Sequence, residues 1–318
     1  MIYIEKNSFD PYFNIAAEEY LLKSRDEDIL MLWQSEASVI VGKHQNTIAE
    51  INQRFAGENN IPVIRRISGG GTVYHDLGNI NFTLITSEPL RERLIDFRKF
   101  TTPILNFLQG LGIDASYEGK NNLTINGKKF SGNSAHIFKN RVMHHGTLLF
   151  SSELDILEKI IRPEQFQIED RAVQSIRANV TNLKNHLPDI PTSNEFKLTL
   201  QKHLFNYFNI NNINNLNDEE ISAIEKLVVE KYKLWDWNFG YSPKYIFKNN
   251  SEEMQAEIHV KNGLITVANI LSTNDKETKF ISAKIIGLKH QKSELEKILS
   301  SIISNPKKAD QYLKLLGY

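Results

Sequence analysis

Apolar and polar positions follow two different periods along this chain. Up to about residue 150 the two periods are mixed, strand-like alternation with helical spacing. "DILMLWQS" and "ASVIVGK" read as two buried strands with a turn between them. "IPVIRR", "GTVYH" and "NINFTLIT" read as three more, the last two joined through the turn "DLGN". "NLTINGKKF" predicts two very short strands around Asn126-Gly127, the strongest short-range hairpin signal, and "RVMHHGTLLF" a further strand. Helical spacing interrupts this pattern. "NIAAEEYLLKS" predicts a helix with Asn14 as its N-cap, and "TIAEINQRF" a helix whose Thr47 and Glu50 form a capping box. "LIDFRKFTTPILNFLQGLG" predicts a helix ending at Gly110 or Gly112, broken or kinked at Pro103.

From about Ser151 helical spacing prevails. In "NDEEISAIEKLVVEKY" the residues Ile221, Ile224, Leu227 and Val228 share one face. "NINNINNLND" reads as a loop and "FKNNSEE" (residues 247–253) as a linker. Beyond it, "QAEIHVKNGLITVANI" is a hairpin around Asn262-Gly263, and "SELEKILSSIIS" a helix boxed by Ser293 and Glu296. Trp235 and Trp237, on one side of an extended segment, are expected to pack between domains. The predicted fold is α+β: residues 1–246 with mixed, mostly antiparallel sheets and flanking helices, and residues 250–318 as a small α+β domain. The lack of regular β–α alternation counts against Rossmann and TIM folds.

Composition narrows the function. Lys plus Arg and Asp plus Glu are 38 each, which argues against a general nucleic-acid or membrane-surface binder. There is no cysteine, so disulfides, thiol nucleophiles and thioester intermediates are excluded together. No run of about 20 apolar residues predicts a membrane helix, and the first residues lack the apolar region of a signal peptide. A cytoplasmic location and a monomeric working unit are expected.

"RRISGGGTVYHDLGNINF" (residues 65–82) then stands out. It is not a P-loop or a dinucleotide fingerprint, because Thr72, Val73 and Tyr74 after the glycines are strand formers and no helix opens there. Gly69, Gly70 and Gly71 can reach positive φ and aim successive N–H groups into one concavity, with Arg66 as a forked cation beside it. A bare glycine turn would look the same. The flanks favour a site: Ile80, Phe82 and Leu84 share an apolar strand face, and Asn79, Asn81 and Thr83 a polar one that needs partners. His75 and Asp76 lie in the same hairpin.

A second cluster runs through residues 121–150. Lys128 and Lys129 face opposite sides of a strand, and an inward lysine asks for an anion. His144 and His145 also diverge, so at most one faces a site. No HExxH or HxxxH pattern supports a transition-metal site, and no GxSxG a serine hydrolase. Glu18 and Glu19 are adjacent on a helix and read as a solvated edge.

Together these two clusters, with "NIAAEEYLL", "SVIVGKHQN" and "RANVTNL", resemble the lipoate–protein ligases over nearly the whole chain. The resemblance implies a two-step reaction: lipoate and ATP give lipoyl-AMP and pyrophosphate, then the acyl group passes to a lysine of a lipoyl-accepting protein. The acceptors implied are lipoyl domains of 2-oxoacid dehydrogenase complexes and the glycine-cleavage H protein. By motif position Lys129 is the central lysine, on acyl and phosphate oxygens. Arg66 would help it screen the meeting of two anions. Gly71, Thr72, Val73 and Tyr74 would lie along the phosphates, with Asn122 on the nucleotide side. Ser68, Gly69, Gly70, His75 and His145 would complete the substrate pocket. Mg²⁺ is expected to bridge phosphates. The dithiolane slot is expected beside residues 39–42. The family commonly has Asn-Asp-Leu where this chain has Asn121-Asn122-Leu123. The uncharged Asn122 keeps open a lipoyltransferase that mainly uses preformed lipoyl-AMP, and a non-catalytic lipoyl-domain binder is the third reading. Amidotransferases of the same fold need a cysteine this chain lacks, and the biotin-ligase GRGRxxR-type loop is missing.

Overall fold

Strands whose side chains alternate between an apolar and a polar face build the largest of the three sheets formed by the described residues. The computed structural model describes residues 1–6, 8–87, 95–161, 166–273 and 275–318. The large sheet runs β12 (Ile213–Asn214), β1 (Ile2–Ile4), β2 (Ile29–Trp33), β6 (Asn79–Ser87), β10 (Arg141–Leu149), β9 (Lys128–Phe138), β8 (Asn122–Ile125) and β7 (Ala115–Glu118). Only the pairs around β1 are parallel, so the sheet is mixed and mostly antiparallel, as the pattern predicts. The Asn126-Gly127 turn is present with both residues at positive φ, and β9 after it is far longer than the alternation suggests.

Ile80, Phe82 and Leu84 of β6 do share one face, packed with Phe100, Ile104 and Leu108 of α4 (Phe97–Gly110) and Phe196 and Leu200 of α6 (Ser193–Phe208). Burying such side chains is worth about 1.5–3 kcal/mol each. Pro103 sits inside α4 without ending it. The expected start of that helix, residue 94, lies outside the described residues. On the opposite face Ile15, Leu21 and Leu22 of α1 (Pro11–Ser24) pack on Met31, Trp33, Ile40 and Ile64. Asp10, not Asn14, caps α1, with its carboxylate accepting from the N–H of Tyr12 and Phe13. Asn14 is one turn in, buried, and donates to the carbonyls of Ser8 and Gln34.

The second sheet runs β4 (Val63–Arg65), β3 (Ser38–Val41), β5 (Val73–His75). The segments 28–35 and 37–43 give two buried strands, as expected, in different sheets; the expected hairpin is corrected, because β5 and β6 do not pair. The glycine run is therefore no hairpin turn: it crosses from β4 to β5 over the end of β3. Next to it, α2 (Thr47–Glu50) and α3 (Gln53–Glu58) are capped by Asn46 and Asn52. Thr47 is no capping-box residue, because its hydroxyl donates to the Asn238 carbonyl and accepts from Arg65. Arg65, fully buried, also donates to the carbonyls of Gly42, Lys43, Gln45 and Trp237, and so ties the turn after β3 to residues 237–242.

α5 (Leu154–Ile160) packs beside β5, and α7 (Asp218–Leu227) begins with an Asn217–Glu220 capping box. The asparagine-rich segment is thus more than a loop, supplying β12 and this cap. Trp235 and Trp237 are not extended. They border or join the π-helical turn Asp236–Gly240, where Trp237 donates to the Arg65 carbonyl and Trp235 packs against Gly263.

The third sheet runs β11 (Gln167–Asp170), β13 (Tyr245–Asn250), β14 (Met254–Lys261), β15 (Leu264–Ser272). The expected linker is therefore strand over 247–250, and the sheet takes its first strand from well upstream. α8 (Asp275–Ile285), α9 (Lys292–Ile302) and α10 (Pro306–Leu315) cover it through Ile281, Ile285, Leu295, Leu299 and Leu313. Gln291 stands at the α9 cap position without a side-chain bond, so the Ser293–Glu296 box does not form.

Candidate active site

The polar face of the large sheet and the small sheet enclose two adjoining cavities. The first is about 380 Å³ and is bordered by Arg66, Gly70 and Lys129 and by the apolar side chains of Ile15, Trp33 and Ile40. The second is about 330 Å³ and mostly apolar, with Tyr74, Leu149, Phe166 and Ile168 among its walls. Thr72, Val73, Lys129, Gly132 and Thr147 line both, so these residues mark the junction.

β9 sends Lys129 into that junction and leaves Lys128 exposed, which is the divergence that strand alternation predicts. Among the described residues the Lys129 ammonium has no hydrogen-bond or ion-pair partner. Burial lowers its pKa, and the nearby Arg66 lowers it further. Gly132 leaves room for it, since a Cβ there would lie 3.0 Å from Nζ. His145 likewise turns to the cavity, while His144 stacks on Phe100 at 3.8 Å on the apolar side.

Arg66 is buried and largely committed. Its Nε donates to Ser68 Oγ (3.0 Å), Nη1 to the Ile40 carbonyl (3.0 Å), and Nη2 to the carbonyls of Gly69 (2.6 Å) and Gly71 (2.8 Å). Burial pushes it down to about 10, so it stays cationic at neutral pH. The glycine loop is thus clamped with its carbonyls toward Arg66. Planar trans peptides then turn the N–H groups of Gly70 and Thr72 away from it. Of the three glycines only Gly70 takes positive φ (+86°). The close approach at the other end is made by Gly42: a Cβ there would meet the Gly70 carbonyl at 2.1 Å.

Glu18 is the residue that pattern reading misplaced. Neither Glu18 nor Glu19 is solvated; they are 1% and 3% exposed. Glu19 holds Lys23, Lys231 and Tyr232. Glu18 accepts from Thr83 Oγ1 (2.5 Å) and meets His145 Nδ1 at 3.0 Å through both oxygens. His145 Nε2 lies 2.6 Å from Ser68 Oγ. Burial alone would raise the Glu18 pKa, but His145, Thr83 and Lys6 more than offset it and hold it below the usual carboxylate range. The result is a chain Trp33–Thr83–Glu18–His145–Ser68–Arg66 beneath the cavity. It has the order of a hydrolytic triad, yet Ser68 is fully buried and borders neither cavity, so it fixes neighbours and offers no nucleophile. The signal for Glu18 was present in the helix phase: it follows Ile15 by three and precedes Leu22 by four.

Residues 171–180 cross both cavities as an irregular strap, which the sequence did not single out as part of a site. Ser175 accepts from the Thr72 N–H (2.9 Å) and from Gln45 Nε2 (3.0 Å), and donates to Glu50. At the far end the Lys129 N–H donates to the Asn179 carbonyl (2.7 Å), and the Lys129 carbonyl accepts from Thr181 (2.9 Å).

Of the residues singled out from sequence, Arg66, Gly70, Gly71, Thr72 and Val73 come together around the first cavity. So do His75, Asn122, Lys129 and His145. Tyr74 borders the second, while Ser68 and Gly69 border neither. Asp76 turns away and accepts from the N–H groups of Gly78 and Glu153. Among the described residues no three His, Asp or Glu side chains gather as a metal-holding set, and Asn121 and Asn122 offer amide oxygens only.

Two cavities on one sheet face thus meet at a lysine, where two anionic groups could be brought together. Residues 10–205 match the model of the lipoyl protein ligase A/B catalytic domain, and the chain belongs to that family. The lipoate–protein ligase LplJ of Bacillus subtilis is 34% identical over 95% of this chain and 94% of its own length. P. falciparum LipL1, solved in complex with lipoate, is similar with TM-score 0.64 at 25% identity over 98% of both chains. A lipoate–protein ligase A bound with ATP shares the fold at TM-score 0.64 and 24% identity, over 76% of this chain and 98% of its own.

Proposed function

We propose that this protein is an ATP-dependent lipoate–protein ligase. It activates lipoate as lipoyl-AMP and transfers the lipoyl group to a lysine of lipoyl domains or of the glycine-cleavage H protein, in the cytoplasm and as a monomer. The observation that carries this reading is the Lys129 ammonium, without a partner among the described residues, at the junction of two mostly apolar cavities. A carboxylate and an α-phosphate brought to that junction repel each other, and a fixed cation there favours the crowded transition state over the separated anions. The first cavity suits an acyl chain with its carboxylate at the Arg66–Lys129 end. The second suits a nucleobase, with the phosphates along Gly71, Thr72, Val73 and Tyr74 and near Asn122.

In this reading Arg66 acts on the reaction mainly by setting the glycine loop, because most of its N–H groups are engaged. Ser68 and His145 hold the cavity floor, with Gly69, Gly70 and His75 around it. Mg²⁺ enters as the counter-ion of ATP, part of the substrate. Residues 1–246 carry the chemistry, and residues 250–318 form the accessory part. The amide at Asn122 favours a second reading, transfer from preformed lipoyl-AMP, since it brings no charge to a metal-bound triphosphate. Lipoate-dependent pyrophosphate release followed by mass gain on an acceptor lysine tests the first reading. Transfer from supplied lipoyl-AMP without pyrophosphate release would replace it with the second.

A further inference from the structure

On the polar face of β6 the side chains of Trp33, Asn81 and Thr147 stand in one row across three strands. Trp33 and Asn81 border the first cavity alone, while Thr147 borders both cavities and accepts from the Gly132 N–H beside Lys129, so Asn81 stands one strand and Trp33 two strands back from the junction. Asn81 is 2% exposed. Its Oδ1 accepts from Asn79 Nδ2 at 2.9 Å, which fixes the amide, and its Nδ2 has no partner among the described residues. His75, 4% exposed and set edge-on to Trp33 at 5.6 Å, borders the same cavity with its Nδ1 unpartnered. Burial pushes that imidazole down to about 3, so it is neutral. The first cavity is thus lined by two buried nitrogens, Asn81 Nδ2 and His75 Nδ1, that no described residue satisfies. A plain hydrocarbon tail would seal them off unpaired, which is costly.

We propose that Asn81, with His75 beside it, is the specificity-determining element that selects a sulfur-bearing acyl tail over a plain alkyl tail of equal length. A dithiolane presents polarisable sulfur, a weak acceptor, to the Asn81 N–H and covers the imidazole edge. Octanoate offers only CH₂ groups. A site built to meet a polar group rejects an analogue lacking it far better than it discriminates by size. The inference rests on the functional reading above, with the carboxylate at the Arg66–Lys129 end.

The test is calorimetric binding of lipoate and of octanoate to the full chain, wild type and Asn81→Leu, with thermal melts to confirm folding. Wild type should prefer lipoate, and Asn81→Leu should shrink the affinity ratio on the order of ten-fold, chiefly by gaining octanoate affinity. A loss of packing alone would weaken both acids together and leave the ratio unchanged, which overturns the inference. Equal wild-type affinities also overturn it, while leaving the ligase reading intact. Binding of neither acid sinks both. If Asn81→Leu does not fold, a crystal structure of wild type with lipoate decides: a ring sulfur in contact with Asn81 Nδ2 supports the assignment, and a ring placed elsewhere removes it.

Discussion

Glu18→Gln isolates the buried chain under the cavity. The glutamine keeps the volume and one acceptor oxygen. Its amide, however, places a donor where His145 Nδ1 now meets a second carboxylate oxygen at 3.0 Å. A hydrogen bond to a charged group contributes about 1.5–3 kcal/mol, so a loss of roughly 2 kcal/mol is expected. For 318 residues that is roughly 3 °C in Tm. His145→Asn should cost a similar amount, and the double variant far less than the sum. Denaturant unfolding of wild type, both single variants and the double variant gives the coupling directly. Acid adds a second signature. The folded Glu18 carboxyl lies below the usual range, so its contribution is present above about pH 4.3 and is lost as pH falls through its folded value. The wild-type advantage should therefore narrow in acid. A coupling under about 0.5 kcal/mol, with a gap independent of pH, would refute the claim that carboxylate and imidazole act as one unit.

Lys129→Ala should lower pyrophosphate release by about 10²–10³-fold while the melt stays near wild type, since only a cation without partners is removed; Lys128→Ala, exposed, should change neither. Lys6→Met tests a buried ammonium that donates to the Asn14 carbonyl at 3.0 Å. Burial pushes it down to about 7, so the unfolded chain holds more protons between about pH 7 and 10.4. The cost of burying charge is full below that window and fades across it. The methionine variant should gain stability relative to wild type near about pH 6 and lose that gain near about pH 10, as thermal melts at the two pH values would show. Gly42→Ala should destabilise by roughly 1–3 kcal/mol and raise the KM for both substrates, because its Cβ would force the Gly70 carbonyl out of the loop; an unchanged KM would mean the loop tolerates the shift.

Features set by neighbours along the chain were legible in the sequence. The Asn126-Gly127 and Asn262-Gly263 turns formed, and alternation alone separated Lys128 from Lys129, His144 from His145, and the two faces of β6. What depended on distant partners was not. Two adjacent glutamates on a helix look solvated until His145, 127 positions away, and Lys231, 212 away, are brought against them. β5 and β6 read as a hairpin because nothing local says that the chain changes sheets at Gly78. Helix caps slipped by a few positions, because Asn14 and Thr47 found tertiary partners. The strap at 171–180 has no periodicity, and its place is set by single bonds to Gln45, Glu50, Thr72 and Lys129.

The strap begins where β11 ends. Asp170 is held by its pairing with Tyr245 in the third sheet and by Asn46 Nδ2 at 2.9 Å, and only five positions separate it from Ser175. A chain spans at most about 3.5 Å per residue, so the slack between the two anchors is at most roughly 17 Å less their present separation. The third sheet is therefore tethered to the cover of both cavities like a hand on a short leash. Its displacement by more than that slack must either draw the cover along or strip β11 from β13. Uncovering the chemistry and moving the far end of the molecule become one mechanical event, with no separate messenger between them.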